Sequence, residues 1–316
     1  MKRFLTSLLV FALYGLVLYV IIIVGFGKFA PTMLKKNLNY KLGGSGFLYS
    51  RLQEAKQSKD VDIVFLGSSH AYRSYDTRIF KQAGFSSFNL GSSAQSPLIT
   101  EVIMEKYLDR LNPKLVVFDV YPKVFGLDGV ESALDLIAND DVDAKEFELA
   151  ARVNNIKTYN TLLYSFVRQK LSLNAGFKQP VHHAADTYIA GGYVESYKQY
   201  RSKRPITKGA YVINQKQKEA FERIIENLKK RKIPYVLIQS PISKKLYSSI
   251  SNNAEMDKLF SGYGAYHNFN TSLSFPDSLF FDDNHLNQNG VNIFDKKVID
   301  QMHLQKNASG KISLKL

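Results

Sequence analysis

Ser69, Asp282 and His285 are the residues whose types and spacing suit covalent chemistry. Ser69 ends the run Val61-Asp62-Ile63-Val64-Phe65-Leu66-Gly67-Ser68-Ser69, an apolar stretch that stops abruptly at Gly-Ser-Ser. Far downstream comes Asp282-Asp283-Asn284-His285. A serine hydroxyl is a poor nucleophile until a base takes its proton. His285 is the expected base, and Asp282 the acid that holds its imidazole in one tautomer. Attack on an ester carbonyl develops an oxyanion that needs fixed N–H donors. The backbone amides of Ser69 and Gly91 are the expected donors, Gly91 allowing close approach because it lacks a side chain. Each motif alone is weak, since Gly-x-Ser and Asp-x-x-His also occur as helix caps. The pair, in this order, points to transfer or hydrolysis of an acyl ester.

Four neighbours are candidate pocket residues: His70, Arg73, Asp119 and Tyr121. His70 directly follows Ser69, and adjacent side chains diverge, so it is expected in the pocket wall rather than as the base. Arg73 suits steering of an anionic substrate, or a surface salt bridge of little energetic value. A carboxylate late in an apolar strand, as Asp119 is, must be paired if buried. His182 and His183, near Asp186, lack metal-ligand spacing, so no metal is expected, and no cofactor. The tyrosine-rich stretch 188–200 suits either a carbohydrate platform or a packed lid.

These residues need a scaffold that brings strand ends together. Strands are expected at 62–66, 85–90, 115–120, 235–239 and 266–269. Helices are expected at 76–82, 97–111, 215–231 and 288–303. Strand–helix alternation implies an α/β fold: three α/β/α layers around a parallel, flavodoxin-like sheet, with ligands outside the carboxyl ends of the strands. The ends Gly67-Ser68-Ser69, Gly91-Ser92-Ser93 and Asp119-Val120-Tyr121 then share one edge. Residues 123–212 interrupt the alternation. They are expected to be helical at 128–137 and 144–171, irregular over 174–209, and to lie as an insertion over the carboxyl edge.

The 316 residues, 45% hydrophobic and 22% charged, suit a globular chain of one or two domains. With no cysteine there is no disulfide, thiolate chemistry or cysteine-ligated zinc. The segment 4–26 carries no charge and matches the roughly 20 residues of a membrane-spanning helix. It exceeds the ~7–15 residues of a signal-peptide core and lacks a small-x-small cleavage site, so residues 1–27 are expected to remain as an anchor. Lys2 and Arg3 favour a cytoplasmic N-terminus, whereas Lys28, Lys35, Lys36 and Lys41 pull the other way. The functional reading favours the remainder lying outside the cytoplasm. Residues 28–60 are expected to be a membrane-proximal linker with a short amphipathic helix at 47–57, and 61–316 the main domain. The net charge of +14 suits a solvated basic surface or attraction to anionic lipid or polymer. Without a recognisable binding motif, nucleic acid is not an expected partner.

The three blocks together resemble the SGNH, or GDSL-type, hydrolase superfamily over about residues 61–304. The resemblance makes Ser69 the nucleophile, with Ser68 where the family usually has Asp. It matches Gly91 to the family's second block, and Asp282 and His285 to its last. The family's Gly-x-Asn-Asp block has no counterpart: Val117-Phe118-Asp119-Val120-Tyr121-Pro122 carries no Asn to donate to the oxyanion. Tyr121, or a group from the insertion, is the expected substitute; otherwise the donors are backbone only. The anchor together with Gly-Ser-Ser is similar to the D-alanyl transfer and alginate O-acetylation proteins. That likeness implies an acylated cell-envelope carbohydrate, or a small acyl ester, as substrate, and a polytopic acyl-exporting membrane protein as a candidate partner. The competing reading is a non-catalytic envelope polymer-binding or assembly subunit that retains the fold.

Overall fold

Ile63, Val64, Phe65 and Leu66 are all fully buried, so this strand has helices over both faces. The computed structural model describes residues 1–35, 38, 42–201, 205–302, 305–306 and 312–313. The chain begins with α1 (Lys2–Phe29), α2 (Leu48–Ala55), β1 (Ile63–Leu66), α3 (Ser69–Ser74), α4 (Thr77–Gln82), β2 (Ser87–Asn89), α5 (Pro97–Leu111) and β3 (Leu115–Asp119). Next come α6 (Val130–Asn139), α7 (Ala144–Val153), α8 (Ile156–Lys170), β4 (His182–His183), β5 (Asp186–Ile189) and β6 (Tyr193–Ser196). The last part holds α9 (Gln215–Lys230), β7 (Tyr235–Gln239), α10 (Lys244–Ser249), α11 (Asn253–Ser261), β8 (Tyr266–Asn268), α12 (Phe269–Ser272) and α13 (Gln288–Gln301). The expected closing helix reached His303, which lies outside the described residues, as do Lys36 and Lys41.

The main sheet has the order β2-β1-β3-β7-β8, and every pair in it is parallel. Numbered by position in the sheet, this is 2-1-3-4-5, the flavodoxin-like order, which reverses direction between β1 and β3. Side chains alternate between two cores, as the twofold strand period requires. Ile63, Phe65, Val117 and Ile238 pack with Tyr75, Phe80 and Phe294 on one side. Val64, Leu66, Val116 and Leu237 pack with Leu52, Ile103 and Phe221 on the other. The fold is the expected three-layer α/β arrangement.

Two regions differ in detail from the sequence reading. Residues 48–55 fall within the expected linker, yet α2 buries Leu48, Leu52 and Ala55 in the larger core. Arg51 on the same helix is fully buried, donating from Nε to the Gly192 carbonyl at 2.9 Å. Within 123–212, the expected continuous helix at 144–171 is two helices, broken where Asn154 turns left-handed (φ 51°). Asp143 caps the first with a reciprocal Glu146 bond, and Asn155 caps the second. Here α6, α7 and α8 stack beside α2 and α5. Their apolar faces need the helical layer to be buried. The expected irregular half contains a three-stranded antiparallel sheet, β4-β5-β6. It runs along the free side of β2, whose Asn89 amide donates to the Gly191 carbonyl at 2.7 Å.

Among the described residues one helix, α1, is long and apolar enough to cross a membrane, and most of its side chains are uncovered. Its second half lies along α8. The Tyr19 hydroxyl donates to Asn160 Oδ1, and the Tyr164 ring packs where a Cβ on residue 27 would sit, which requires Gly27.

Candidate active site

The turn from β1 into α3 depends on Gly67. Its φ of 137° disfavours any side chain, and an added Cβ would lie 2.7 Å from the Asp119 carbonyl oxygen. Ser68 then caps α3, its hydroxyl accepting from the His70 amide at 3.4 Å. Ser69 is the first residue of α3, so its amide lies in the turn where helix N–H groups lack intrahelical acceptors. Its side chain stays partly exposed at the carboxyl end of β1, beside the reversal point of the sheet.

Asp282 and His285 reach the same place from the loop before α13. Asn287 fixes that loop. Its Oδ1 accepts from the Gly290 amide at 3.1 Å, and its Nδ2 donates to the Ser278 and Phe280 carbonyls at 2.7 and 3.1 Å. Asp282 Oδ1 accepts from the Asn284 and His285 amides at 2.8 and 2.9 Å. The His285 ring stands between two partners: Nδ1 is 2.9 Å from Asp282 Oδ1, and Nε2 is 2.8 Å from Ser69 Oγ. Burial opposes the ionised form of Asp282, but the bonds from the His285 ring and the two amides bring its carboxyl down to about 2. The Phe281 ring stacks on His285 at 5.3 Å.

One expected donor is committed elsewhere. The Gly91 amide donates to Asn89 Oδ1 at 3.0 Å in a buried site, while Asn89 Nδ2 donates to the Ala71 carbonyl at 2.7 Å. Gly91 is required for packing instead, since a Cβ there would lie 2.8 Å from the Ser68 carbonyl. Of the two amides expected to serve the oxyanion, that of Ser69 lies in the first turn of α3.

The four expected pocket residues have separate surroundings. His70 is buried, stacked on Tyr121 at 3.9 Å, and its Nδ1 is 3.2 Å from Ser240 Oγ. Its centroid lies 5.3 Å from that of His285, and burial drives its pKa well below the usual imidazole range. The neutral ring stands beside that of His285. Tyr121 donates to Asn284 Oδ1 at 2.7 Å, linking the end of β3 to the Asp282–His285 loop. Asp119 accepts from the Tyr75 hydroxyl at 3.0 Å, and burial pushes its carboxyl up to about 7. Arg73 is no free anion hook: it pairs with Asp186 at 2.9 Å and lies over the Phe281 ring. Lys198 also reaches Asp186, at 2.8 Å.

A cavity of about 460 Å³ opens beside Asp282, lined by Lys198, Gln199, Arg201, Phe281 and Asp282. The segment carrying its basic wall is tied to the loop by the Arg201 amide on the Phe281 carbonyl and the Tyr200 hydroxyl on Asp283 Oδ1. Sequence reasoning missed Ser240, Asn284 and Asn89. Ser240 follows an apolar strand, as Ser68 does, so the same strand-end rule points to it. Asn284 lies inside the Asp-x-x-His block, but no pattern marks its tyrosine partner.

No family model matches the chain, and no curated protein matches it. Among solved structures it is similar to a GDSL-like lipase from Bacteroides thetaiotaomicron, at 12% identity and a TM-score of 0.40, over 81% of this chain and 96% of that one. It is also similar to a candidate acylhydrolase from Bacteroides fragilis, at 13% identity and a TM-score of 0.29, with the same coverages of 81% and 96%. A third similar structure is a gut microbial diltiazem-metabolizing enzyme, at 14% identity and a TM-score of 0.28, over 77% of this chain and 47% of that one.

Proposed function

We propose that the chain is a membrane-anchored, SGNH-type serine O-acyl esterase or acyltransferase, with its globular part outside the cytoplasm. The observation that carries the reading is the continuous line from Ser69 Oγ through His285 Nε2 and Nδ1 to Asp282. Nucleophile, base and orienting acid are each within hydrogen-bond reach of the next, as covalent acyl transfer requires. Ser69 Oγ attacks the acyl carbonyl while His285 Nε2 takes the hydroxyl proton. Asp282 holds the Nδ1–H and stabilises the imidazolium. The Ser69 amide, in the first turn of α3, donates to the oxyanion. The tetrahedral species collapses, the leaving alcohol receives the proton from Nε2, and an acyl-Ser69 ester remains. Water or a sugar hydroxyl, deprotonated by the same nitrogen, then takes the acyl group. The basic wall of the cavity, Lys198 and Arg201, supports an anionic carrier such as an acylated envelope polymer.

The second reading, a polymer-binding subunit without catalysis, is favoured by one observation: Gly91 spends its amide on Asn89, and no Asn follows β3. Losing one oxyanion donor costs on the order of 10²–10³ in rate in enzymes that normally have it. A slow transferase accommodates that loss. The test is turnover of p-nitrophenyl acetate by the full chain in detergent, with and without an oligosaccharide acceptor. Release that needs Ser69, with acetate appearing on the sugar, supports transfer; release unaffected by the sugar supports hydrolysis. Equal turnover by wild type and Ser69→Ala would leave the polymer-binding reading.

A further inference from the structure

A second cavity, of about 380 Å³, lies where α1 meets the rest of the chain, far in sequence from the residues of the candidate active site. Its wall includes Lys28, Lys35 and Arg168 together with Tyr164, Leu38 and Phe177, and no described lining residue is acidic. Three cations beside an apolar surface are the two halves of an amphiphile's site. The volume suits a head group and the first part of its chains rather than a whole lipid.

Arg168 is the unusual member. It is buried, its Nη2 donates to the Ala138 carbonyl, and its Nε has no hydrogen-bond partner among the described residues. Among the described residues it forms no salt bridge, and its guanidinium lies 5.5 Å from the centroid of the Tyr164 ring. A guanidinium removed from water without a carboxylate is costly. Burial accordingly lowers its pKa, against the opposing influence of Tyr164 and Tyr49. An anion in the cavity would relieve that cost. Lys28, exposed at the end of α1, is free to approach the same ligand.

Height along α1 identifies the ligand. The uncharged segment 4–26 rises about 34 Å at about 1.5 Å per residue, against about 30 Å of hydrocarbon. Gly27 and Lys28 therefore emerge at head-group level if α1 spans the bilayer. We propose that this cavity binds the phosphate head group of an anionic phospholipid, with the acyl chains running down the uncovered flank of α1. The lipid would fix the height and tilt of the globular part over the membrane. The inference rests on the anchored reading above and not on the catalytic one.

Native mass spectrometry of the detergent-solubilised full chain tests it, with added phosphatidylglycerol, phosphatidylcholine or millimolar inorganic phosphate. The expected result is retention of phosphatidylglycerol over phosphatidylcholine, about tenfold weaker in Arg168→Gln, as loss of a charge-assisted bond implies. Lys28→Gln, at an exposed position outside the fold's core, is expected to weaken retention several-fold and guards against misfolding of the first variant. Equal retention of both lipids, or retention unchanged in both variants, would overturn the proposal. So would phosphate binding that displaces all lipid, which would make the ligand a free anion. Alkaline washing of membranes separates the two readings. Release of the chain would refute the anchor, whereas a chain that stays in the membrane without preferring phosphatidylglycerol would refute the lipid site alone.

Discussion

The Ser69 hydroxyl and the His285 ring stand 216 residues apart in sequence and 2.8 Å apart in space. The contact depends on two local devices, the Gly67 turn that exposes Ser69 and the Asn287 bonds that hold the His285 loop. Each device, and each group around the contact, carries a consequence that can be measured.

Gly67→Ala is expected to be the most damaging single methyl near the site. Its φ of 137° and the 2.7 Å approach to the Asp119 carbonyl both oppose a side chain. Strained backbone costs about 1–3 kcal/mol before any overlap. Urea unfolding should show at least that loss, with activity falling more than the folded fraction because Ser69 is displaced.

Asn89→Ala separates packing from chemistry at Gly91. It removes two buried hydrogen bonds, one from the Gly91 amide and one to the Ala71 carbonyl. A loss of about 2–4 kcal/mol in stability is expected. The remaining folded protein should keep the wild-type dependence on Ser69, since the Gly91 amide is not assigned to the oxyanion.

His70→Phe keeps a ring against Tyr121 but leaves Ser240 Oγ without its 3.2 Å partner. The expected cost is about 1–2 kcal/mol in thermal or urea stability. Acyl-ester turnover per folded molecule should stay within about tenfold of wild type. A complete loss of turnover in a folded variant would make His70 a catalytic group.

Asp119 ties stability to pH. The unfolded carboxyl ionises near pH 4, whereas in the folded chain burial keeps Asp119 protonated up to about 7. Folding takes up a proton between those values, so stability falls as pH rises from about 4 to about 7 and is level above. The share of Asp119 is at most about 4 kcal/mol. Asp135 and Glu146, also pushed up to about 7 by burial, act in the same direction. Asp119→Asn still accepts from Tyr75 and should flatten the slope between urea midpoints at pH 5 and pH 8.

The sheet was legible because buried parallel strands read as unbroken apolar runs, as in Leu115–Asp119 and Tyr235–Gln239. The meeting of Ser69, His285 and Asp282 was legible because a strand-end Gly-Ser-Ser and an Asp-x-x-His before the last helix both fall at the carboxyl edge of a parallel sheet. The bond from the Gly91 amide to Asn89 was not legible because a glycine's sequence signal is the same whether its amide or its missing side chain matters. Only the Asn89 bond distinguishes the two. The break between α7 and α8 was missed because Asn154-Asn155 carries neither Gly nor Pro, and asparagine enters the left-handed region and caps the next helix without either. The helix α2 was legible as an amphipathic stretch at 47–57, but its place in the core was hidden because a central arginine suits a surface until Gly192 supplies an acceptor for Arg51.

The most direct test of the central claim is labelling of the full chain by a fluorophosphonate, beside Ser69→Ala, His285→Ala and Asp282→Asn. The account predicts labelling of wild type, none in the first two variants, and labelling slowed by on the order of 10³–10⁴ in the third, where the tautomer is no longer held. Labelling that persists in folded Ser69→Ala, or its absence from folded wild type, would contradict it.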